Sequence, residues 1–144
     1  MRFYIATGIR NALRASELAD VLKKRGHEHT YDWTVHGDIR SEGELRMSEV
    51  AFNELRAVRD AELVVVLLPG GTGTHTELGV AIATRGNKRI ILWSEEGEEF
   101  NYDERACTFY FHPCIERLVC PFDELLRRLD TEQIGSDITR VTFE

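Results

Sequence analysis

The sequence predicts a three-layer α/β/α sandwich built around a mostly parallel sheet of about five strands. Short apolar runs alternate with longer segments in which apolar residues recur every three or four positions, a pattern typical of repeated strand–helix units. The run Leu63–Leu68 is apolar at every position, as expected of a central parallel strand that helices cover on both faces. A chain of 144 residues favours a single domain spanning residues 1–144.

The first part of the chain predicts two strands with one helix between them. The aromatic and apolar run Phe3–Thr7 predicts the first strand. Asn11 is a suitable N-cap for a helix over Ala12–Arg25, and Gly26 is a typical helix stop. The run His29–Trp33 predicts the second strand, although its pattern is weaker.

The middle of the chain continues the alternation. Val35–Glu42 is polar and contains glycine, so it predicts a loop before a second helix over Glu44–Arg59. The third strand, Leu63–Leu68, leads into a glycine-rich turn and a third helix over His75–Arg85. Arg89–Trp93 predicts the fourth strand.

The last part of the chain has a weaker pattern. Ser94–Glu104 is acidic and predicts a loop, Thr108–Phe111 a fifth strand, and Pro121–Leu129 a last helix. Ile138–Phe143 alternates weakly, which suits either an edge strand or a segment that reaches a neighbouring subunit. Together these elements predict a flavodoxin-like or Rossmann-like sheet.

Composition narrows the classes of partner. A net charge of −7 argues against binding a nucleic acid polymer or an anionic membrane, and no apolar run is long enough to cross a bilayer. Three cysteines at spacings unlike those of zinc sites favour reduced thiols, so we expect a cytoplasmic protein. The histidines also lack metal-site spacing, and we expect no metal.

Two loops are expected to meet at one edge of the sheet. Ligands in open α/β sheets bind beyond the carboxyl ends of the strands, where the strand order changes direction. The loops Thr7–Asn11 and Pro69–Thr76 follow the first and third strands, and both reach that edge. We therefore expect Thr7, Gly8 and Arg10 of the first loop to contact a substrate together with the second loop.

The second loop has the composition of an anion cradle. Glycines permit positive φ angles and close approach by a ligand, and main-chain N–H groups before a helix favour anions. Threonine hydroxyls add further donors. The predicted substrate-binding residues of this loop are Gly70, Gly71, Thr72, Gly73 and Thr74.

Glu77 is the acid nearest to this cradle. Its predicted place in the first helical turn favours the ionised form, and an ionised carboxylate beside a sugar can attack the anomeric carbon. The sequence Thr74-His75-Thr76-Glu77 also matches a capping box, in which Glu77 only stabilises the helix start. Both interpretations stay open at this point, and they do not exclude each other. The loop has neither the Walker signature nor the dinucleotide fingerprint.

At these positions the chain resembles the nucleoside 2-deoxyribosyltransferase family, including its branch of nucleoside 5′-monophosphate N-glycosidases. The resemblance covers about the first two-thirds of the chain. It rests on Tyr4-Ile5-Ala6, Arg10, Gly26-His27, Tyr31-Asp32-Trp33 and Gly73-Thr74-His75-Thr76-Glu77-Leu78-Gly79.

The resemblance implies roles for individual residues. The family's nucleophile falls on Glu77, the tyrosine that orients it on Tyr4, and a family acid, usually aspartate, on Glu54. Arg10 matches an arginine that lies near the substrate in the hydrolase branch. The resemblance also implies that no cofactor is required, and that the protein forms a homodimer or a larger homo-oligomer.

Gly71 departs from the family pattern. Six residues before the nucleophile the transferases carry an aspartate and the nucleotide hydrolases tend to carry a serine, whereas this chain has Gly71. The missing aspartate weakens the case for transfer. The missing serine removes a phosphate donor, which Thr72 or Thr74 can replace.

The function expected from these observations is cleavage of the N-glycosidic bond of a nucleoside or nucleoside 5′-monophosphate, by hydrolysis or deoxyribosyl transfer. The run Pro-Gly-Gly-x-Gly-Thr-x-x-Glu is also similar to that of cytokinin-activating phosphoribohydrolases, which gives a second enzyme hypothesis. A third hypothesis is a non-catalytic nucleotide-binding or sensor module, in which Glu77 caps the helix and accepts a ribose hydroxyl. All three imply a small-molecule nucleoside or nucleotide partner.

Overall fold

The computed structural model describes residues 1–131, which form a five-stranded parallel sheet flanked by helices. The strands are β1 (Arg2–Ala6), β2 (Glu28–His29), β3 (Leu63–Leu67), β4 (Arg89–Ser94) and β5 (Ile115–Val119). The helices are α1 (Ala12–Lys24), α2 (Glu44–Asp60), α3 (Thr72–Ala83) and α4 (Phe122–Thr131). The strand order is β2-β1-β3-β4-β5, with every neighbouring pair parallel, so the predicted α/β/α fold class is confirmed.

The strand order places a crevice between β1 and β3. The chain runs outward from β1 to β2 and then crosses back to β3, so the order reverses between β1 and β3. Because crossovers between parallel strands are right-handed, this reversal puts helices on opposite faces of the sheet. Helix α1 packs against α4 on one face, and α2 packs against α3 on the other. The loops after β1 and β3 therefore flank the switch point.

The core has the composition that the apolar runs predict. All five residues of β3 are buried, as expected of the central strand. Helix α1 buries one stripe of its surface, and these residues are Ala15, Leu18, Ala19 and Leu22. The sheet and helices thus share one hydrophobic cluster.

The second strand is shorter than predicted. Only Glu28 and His29 pair with β1, and Trp33–Val35 forms a 3-10 turn, so the expected strand over His29–Trp33 is wrong. The Asp32 side chain accepts a hydrogen bond from the main-chain N–H of Thr34 at 3.1 Å, which favours the turn. The indole N–H of the buried Trp33 bonds to the carbonyl of Ile5 at 2.8 Å.

The fifth strand lies later in the chain than predicted. Thr108–Phe111 is a 3-10 turn, and the strand at the edge of the sheet is β5. Two charged residues interrupt the apolar pattern of β5 and conceal it in the sequence. One of them, Glu116, is buried because its carboxylate pairs with the Arg89 guanidinium on β4 at 3.0 Å.

Two further sequence predictions concern the end of the chain and membrane-spanning segments. The predicted edge strand or intersubunit segment, Ile138–Phe143, lies outside the described residues. Within residues 1–131, no helix is long and apolar enough to span a membrane.

Candidate active site

Helix α3 begins three residues earlier than predicted. Its first residue is Thr72, and Gly71 is the N-cap residue. The main-chain N–H of Gly71 donates to the Thr74 hydroxyl at 3.1 Å, so Thr74 occupies the position that the capping box assigned to Glu77. The predicted Thr74–Glu77 capping box is therefore wrong. Glu77 lies in the second turn of the helix, away from the free N–H groups.

Of the three glycines in the turn, only Gly70 is required, and for space rather than for positive φ. None of the three has a φ in the left-handed region, which corrects the expectation from sequence. A Cβ on Gly70 would lie 2.6 Å from the Cβ of Thr74, so only glycine fits there. At Gly71 and Gly73 a Cβ would meet open space, and these two residues leave the mouth of the site unobstructed.

A cavity of about 470 Å³ opens at the carboxyl ends of β1 and β3. Its walls come from the loop after β1, the segment before α2, the inner side of α2 and the start of α3. The sequence-predicted residues that line it are Thr7, Gly8, Glu54, Gly71, Thr72, Gly73, Thr74 and Glu77. The Thr7 hydroxyl donates to the Leu67 carbonyl at 2.7 Å and fixes the two loops to each other.

Glu77 lines this cavity, and Tyr4 is buried beside Glu77. Glu77 is 8% exposed, and Tyr4 on β1 is fully buried behind the lining. The Tyr4 hydroxyl lies beside Glu77 and favours its charged form, although the hydroxyl makes no well-aligned hydrogen bond. Burial and the neighbouring carboxylates of Glu77 and Glu54 raise the pKa of Tyr4, which keeps the phenol protonated.

Two carboxylates share the cavity. Burial, and then the negative charge of Glu54, raise the pKa of Glu77 to about 8. Burial also raises the pKa of Glu54, which the nearby His36 partly offsets. The expectation that the helix dipole keeps Glu77 ionised is thus wrong, because desolvation outweighs the dipole one turn into the helix. Near neutral pH the pair retains a proton.

The segment between β2 and α2 contributes polar groups that sequence analysis treated only as loop. His36, Asp38 and Arg40 all line the cavity. The His36 Nδ1–H donates to the Gly37 carbonyl at 2.8 Å, and the buried Nε2 has no hydrogen-bond partner. The Arg40 Nε donates to the Asp38 carboxylate at 3.0 Å. Only its position in the chain could have revealed this segment. It follows β2, and the carboxyl end of β2 lies at the same edge of the sheet as those of β1 and β3.

Other predicted residues lie outside the cavity lining. Arg10 is exposed and does not line the cavity, and neither Gly70 nor Tyr4 belongs to its lining. Asn11 does not cap α1 with its side chain but donates to the Thr7 hydroxyl at 3.2 Å.

His75 joins the turn to a distant segment. Its Nδ1–H donates to the Gly71 carbonyl at 2.7 Å, and its Nε2 lies 2.6 Å from the Tyr110 hydroxyl. Burial raises the pKa of Tyr110 to about 12, so the phenol donates to this nitrogen. This chain of bonds fixes the turn at the start of α3.

In residues 1–131 no group of three or more His, Cys, Asp or Glu side chains is arranged to hold a metal ion.

Comparison with known proteins supports the architecture. No family model matches the chain, and no curated protein matches it either. A solved structure of a CMP N-glycosidase from Clostridium botulinum, BcmB, aligns with a TM-score of 0.65. The likeness shows a shared fold. It covers 92% of this chain and 99% of the other, at 21% sequence identity.

Proposed function

We propose that this protein cleaves the N-glycosidic bond of a nucleoside or a nucleoside 5′-monophosphate, with Glu77 as the nucleophile. The observation that carries the proposal is the buried carboxylate of Glu77 in a cavity that also holds Glu54, with Tyr4 behind it. A pair of carboxyl groups supplies both parts of glycosidic chemistry, a nucleophile and an acid. The fold shared with an N-glycosidase agrees with this proposal.

In the proposed reaction, the proton that Glu77 retains near neutral pH has to move first. Positive charge develops on the sugar as the glycosidic bond stretches, and this charge favours the ionised form of Glu77. The proton of Glu77 then passes to Glu54. A Glu77 oxygen bonds to the anomeric carbon, the carbon–nitrogen bond breaks, and Glu54 protonates the leaving base.

Water completes the cycle. Glu54, now ionised, takes a proton from a water molecule whose oxygen attacks the anomeric carbon. The ester bond to Glu77 breaks, which releases the sugar and restores one proton to the pair. If a second nucleobase attacks the ester in place of water, the sugar is transferred to that base. Hydrolysis and transfer therefore differ only in the acceptor.

The start of α3 is the proposed anchor for the sugar or its phosphate. The main-chain N–H groups of Thr72 and Gly73 lie in its first turn, where the helix dipole favours an anion. Arg40 also lines the cavity, with its guanidinium paired to the Asp38 carboxylate. Thr7, Gly8 and Thr74 offer further polar contacts.

The decisive experiment measures release of free base from a panel of nucleosides and nucleoside 5′-monophosphates. Intact-protein mass spectrometry after rapid mixing is expected to reveal a sugar adduct, and peptide mapping is expected to locate it on Glu77. An added acceptor base that yields a new nucleoside indicates transfer. Turnover that survives in Glu77→Ala excludes Glu77 as the nucleophile.

A non-catalytic nucleotide-binding module is the second candidate. The pKa of Glu77, raised to about 8, favours it, because a neutral carboxyl can hydrogen-bond a ribose hydroxyl without attacking carbon. Calorimetric binding of a nucleotide without release of base, at every pH tested, supports this alternative.

A further inference from the structure

The charged side chains that line the cavity are mostly acidic. Three of them are carboxylic acids, Asp38, Glu54 and Glu77, and in the part of the chain that the structure describes Arg40 is the only lysine or arginine of the lining. The Arg40 Nε donates to both oxygens of the Asp38 carboxylate at 3.0 Å, so this carboxylate neutralises the guanidinium. His36 offers no free donor, since its Nδ1–H donates to a main-chain carbonyl and its Nε2 is shielded from solvent. The Glu54–Glu77 pair can carry only negative charge.

The turn before α3 offers few donors for a phosphate. Gly71 has no side chain, although a Cβ there would meet no atom within 4 Å, so the turn has room for a hydroxyl group that this chain does not carry. The Gly71 N–H donates to the hydroxyl of Thr74, which is 4% exposed and belongs to the helix cap. The first turn therefore presents mainly the main-chain N–H groups of Thr72 and Gly73. These groups suit one hydroxyl, which accepts from an N–H and donates to a carboxylate.

A phosphate would also oppose the proposed reaction. A phosphate monoester carries a charge of about −1.5 to −2 at pH 7. Burial and the charge of Glu54 already raise the pKa of Glu77 to about 8. Another negative charge in the same desolvated cavity raises this pKa further, so the nucleophile ionises less readily. A neutral 5′-hydroxyl has no such effect.

We infer that the site takes nucleosides with a free 5′-hydroxyl in preference to nucleoside 5′-monophosphates, an inference that rests on the proposed function. The juxtaposition that carries it is a cavity lined by three carboxyl groups, in which the guanidinium of Arg40 is already paired with Asp38. The N–H groups at the start of α3 then hold the 5′-hydroxyl. The expected substrates thus differ from the nucleotide named for the CMP N-glycosidase that shares the fold.

Release of free base from the common ribonucleosides and 2′-deoxyribonucleosides, each measured beside its own 5′-monophosphate, tests this preference. We expect kcat/KM for the best nucleoside to exceed that for its monophosphate by at least about tenfold, because like charges meet in the complex with the monophosphate. Equal values, or a higher value for the monophosphate, overturn the inference and leave the proposed function standing.

Binding decides the inference if neither class releases base, a result that overturns the proposed function. Isothermal titration calorimetry with the same pairs then compares the Kd of each nucleoside with that of its monophosphate. Tighter binding of the nucleoside supports the preference. Equal affinity, tighter binding of the monophosphate, or no binding of either overturns it.

Two variants test the cause of the preference. Asp38→Asn removes the charge that neutralises Arg40 and is expected to lower the ratio of nucleoside to monophosphate kcat/KM about tenfold, most clearly at low salt. Gly71→Ser adds a hydroxyl where there is room for it and is expected to lower the ratio too. Asp103→Asn is the matched control, because Asp103 accepts from the main-chain N–H and Nε of Arg105 as Asp38 does from Arg40, yet lies outside the cavity lining. A ratio that Asp38→Asn leaves unchanged, or that both aspartate variants lower equally, overturns the role assigned to the Asp38–Arg40 pair.

Discussion

Replacement of Glu77 by glutamine is expected to stabilise the protein while abolishing turnover. In the unfolded chain Glu77 loses its proton near the ordinary pKa of 4.5, whereas in the folded chain it keeps the proton until about pH 8. Between these values the unfolded state binds fewer protons, so the free energy of unfolding of the wild type falls as pH rises. Glutamine has nearly the same shape and no charge, which removes this dependence.

The size of the effect follows from the pKa shift. One pKa unit corresponds to about 1.36 kcal/mol. The raised pKa of Glu77 therefore lowers the free energy of unfolding of the wild type by roughly 1 kcal/mol at pH 5 and roughly 4 kcal/mol at pH 8. The advantage of Glu77→Gln over the wild type is therefore expected to grow by about 3 kcal/mol between these two pH values. Above pH 8 the advantage no longer increases, because the folded wild type is then ionised as well.

Urea denaturation at several pH values between 5 and 8 measures this advantage. The matched control is Glu17→Gln, which removes an exposed carboxylate from α1. An advantage of Glu77→Gln that is the same at every pH, or that shrinks toward pH 8, would refute the argument that burial holds the proton on Glu77. Release of free base by Glu77→Gln at the wild-type rate would refute the catalytic part separately.

Three further changes test other parts of the structure. Gly70→Ala brings a Cβ into the Thr74 side chain, and urea denaturation is expected to show a loss of about 1–3 kcal/mol together with a higher KM. Lys88→Met removes an ammonium group that donates to three main-chain carbonyls at the end of α2, and the same assay is expected to show a loss of about 2 kcal/mol with turnover unchanged. Glu54→Gln removes the negative charge beside Glu77, so the pKa of Glu77 falls. Release of base in the first turnover should nevertheless slow, except from a 7-methylguanine nucleotide, whose cationic base leaves without added protonation. Later turnovers slow for both kinds of substrate, because Glu54 is also the proposed base for hydrolysis of the ester. Equal losses in the first-turnover rate on both kinds of substrate would contradict the role of Glu54 as acid.

The sequence predicted the fold because the strongest pattern lies in the centre of the sheet. Leu63–Leu67 is apolar throughout and buried throughout, and the helices around it have clear apolar stripes. The errors lie at the edges. Charged Glu116 is tolerated within β5 because Arg89 neutralises it across the sheet, and no local pattern reveals a partner 27 residues away. Strand β2 pairs over only two residues, so it left almost no signal.

The candidate site was predictable in position and only partly in its chemistry. The turn before Glu77 and the loop after β1 meet at the cavity, as expected of loops that follow adjacent parallel strands. The protonation of Glu77 was not predictable, since it depends on how far the side chain is buried and on Glu54, which arrives from another helix. His36 and Arg40 were missed because their segment carries no motif, and only the fold brings it to the cavity.

In the proposed reaction, the burial of Glu77 favours the transition state of the substrate over its ground state. A neutral carboxyl interacts weakly with a neutral sugar, so it contributes little to binding of the ground state. Once positive charge develops on the ring, the same group can ionise against it in a desolvated site, where the attraction is far stronger than in water. Burial of Glu77 lowers the free energy of unfolding, because the folded protein disfavours its ionised form. In the proposed reaction this ionised form is stabilised only at the transition state. In the proposed reaction this difference is expected to raise kcat rather than to lower KM, which would account for a carboxylate that weakens the fold at neutral pH in the lining of the cavity.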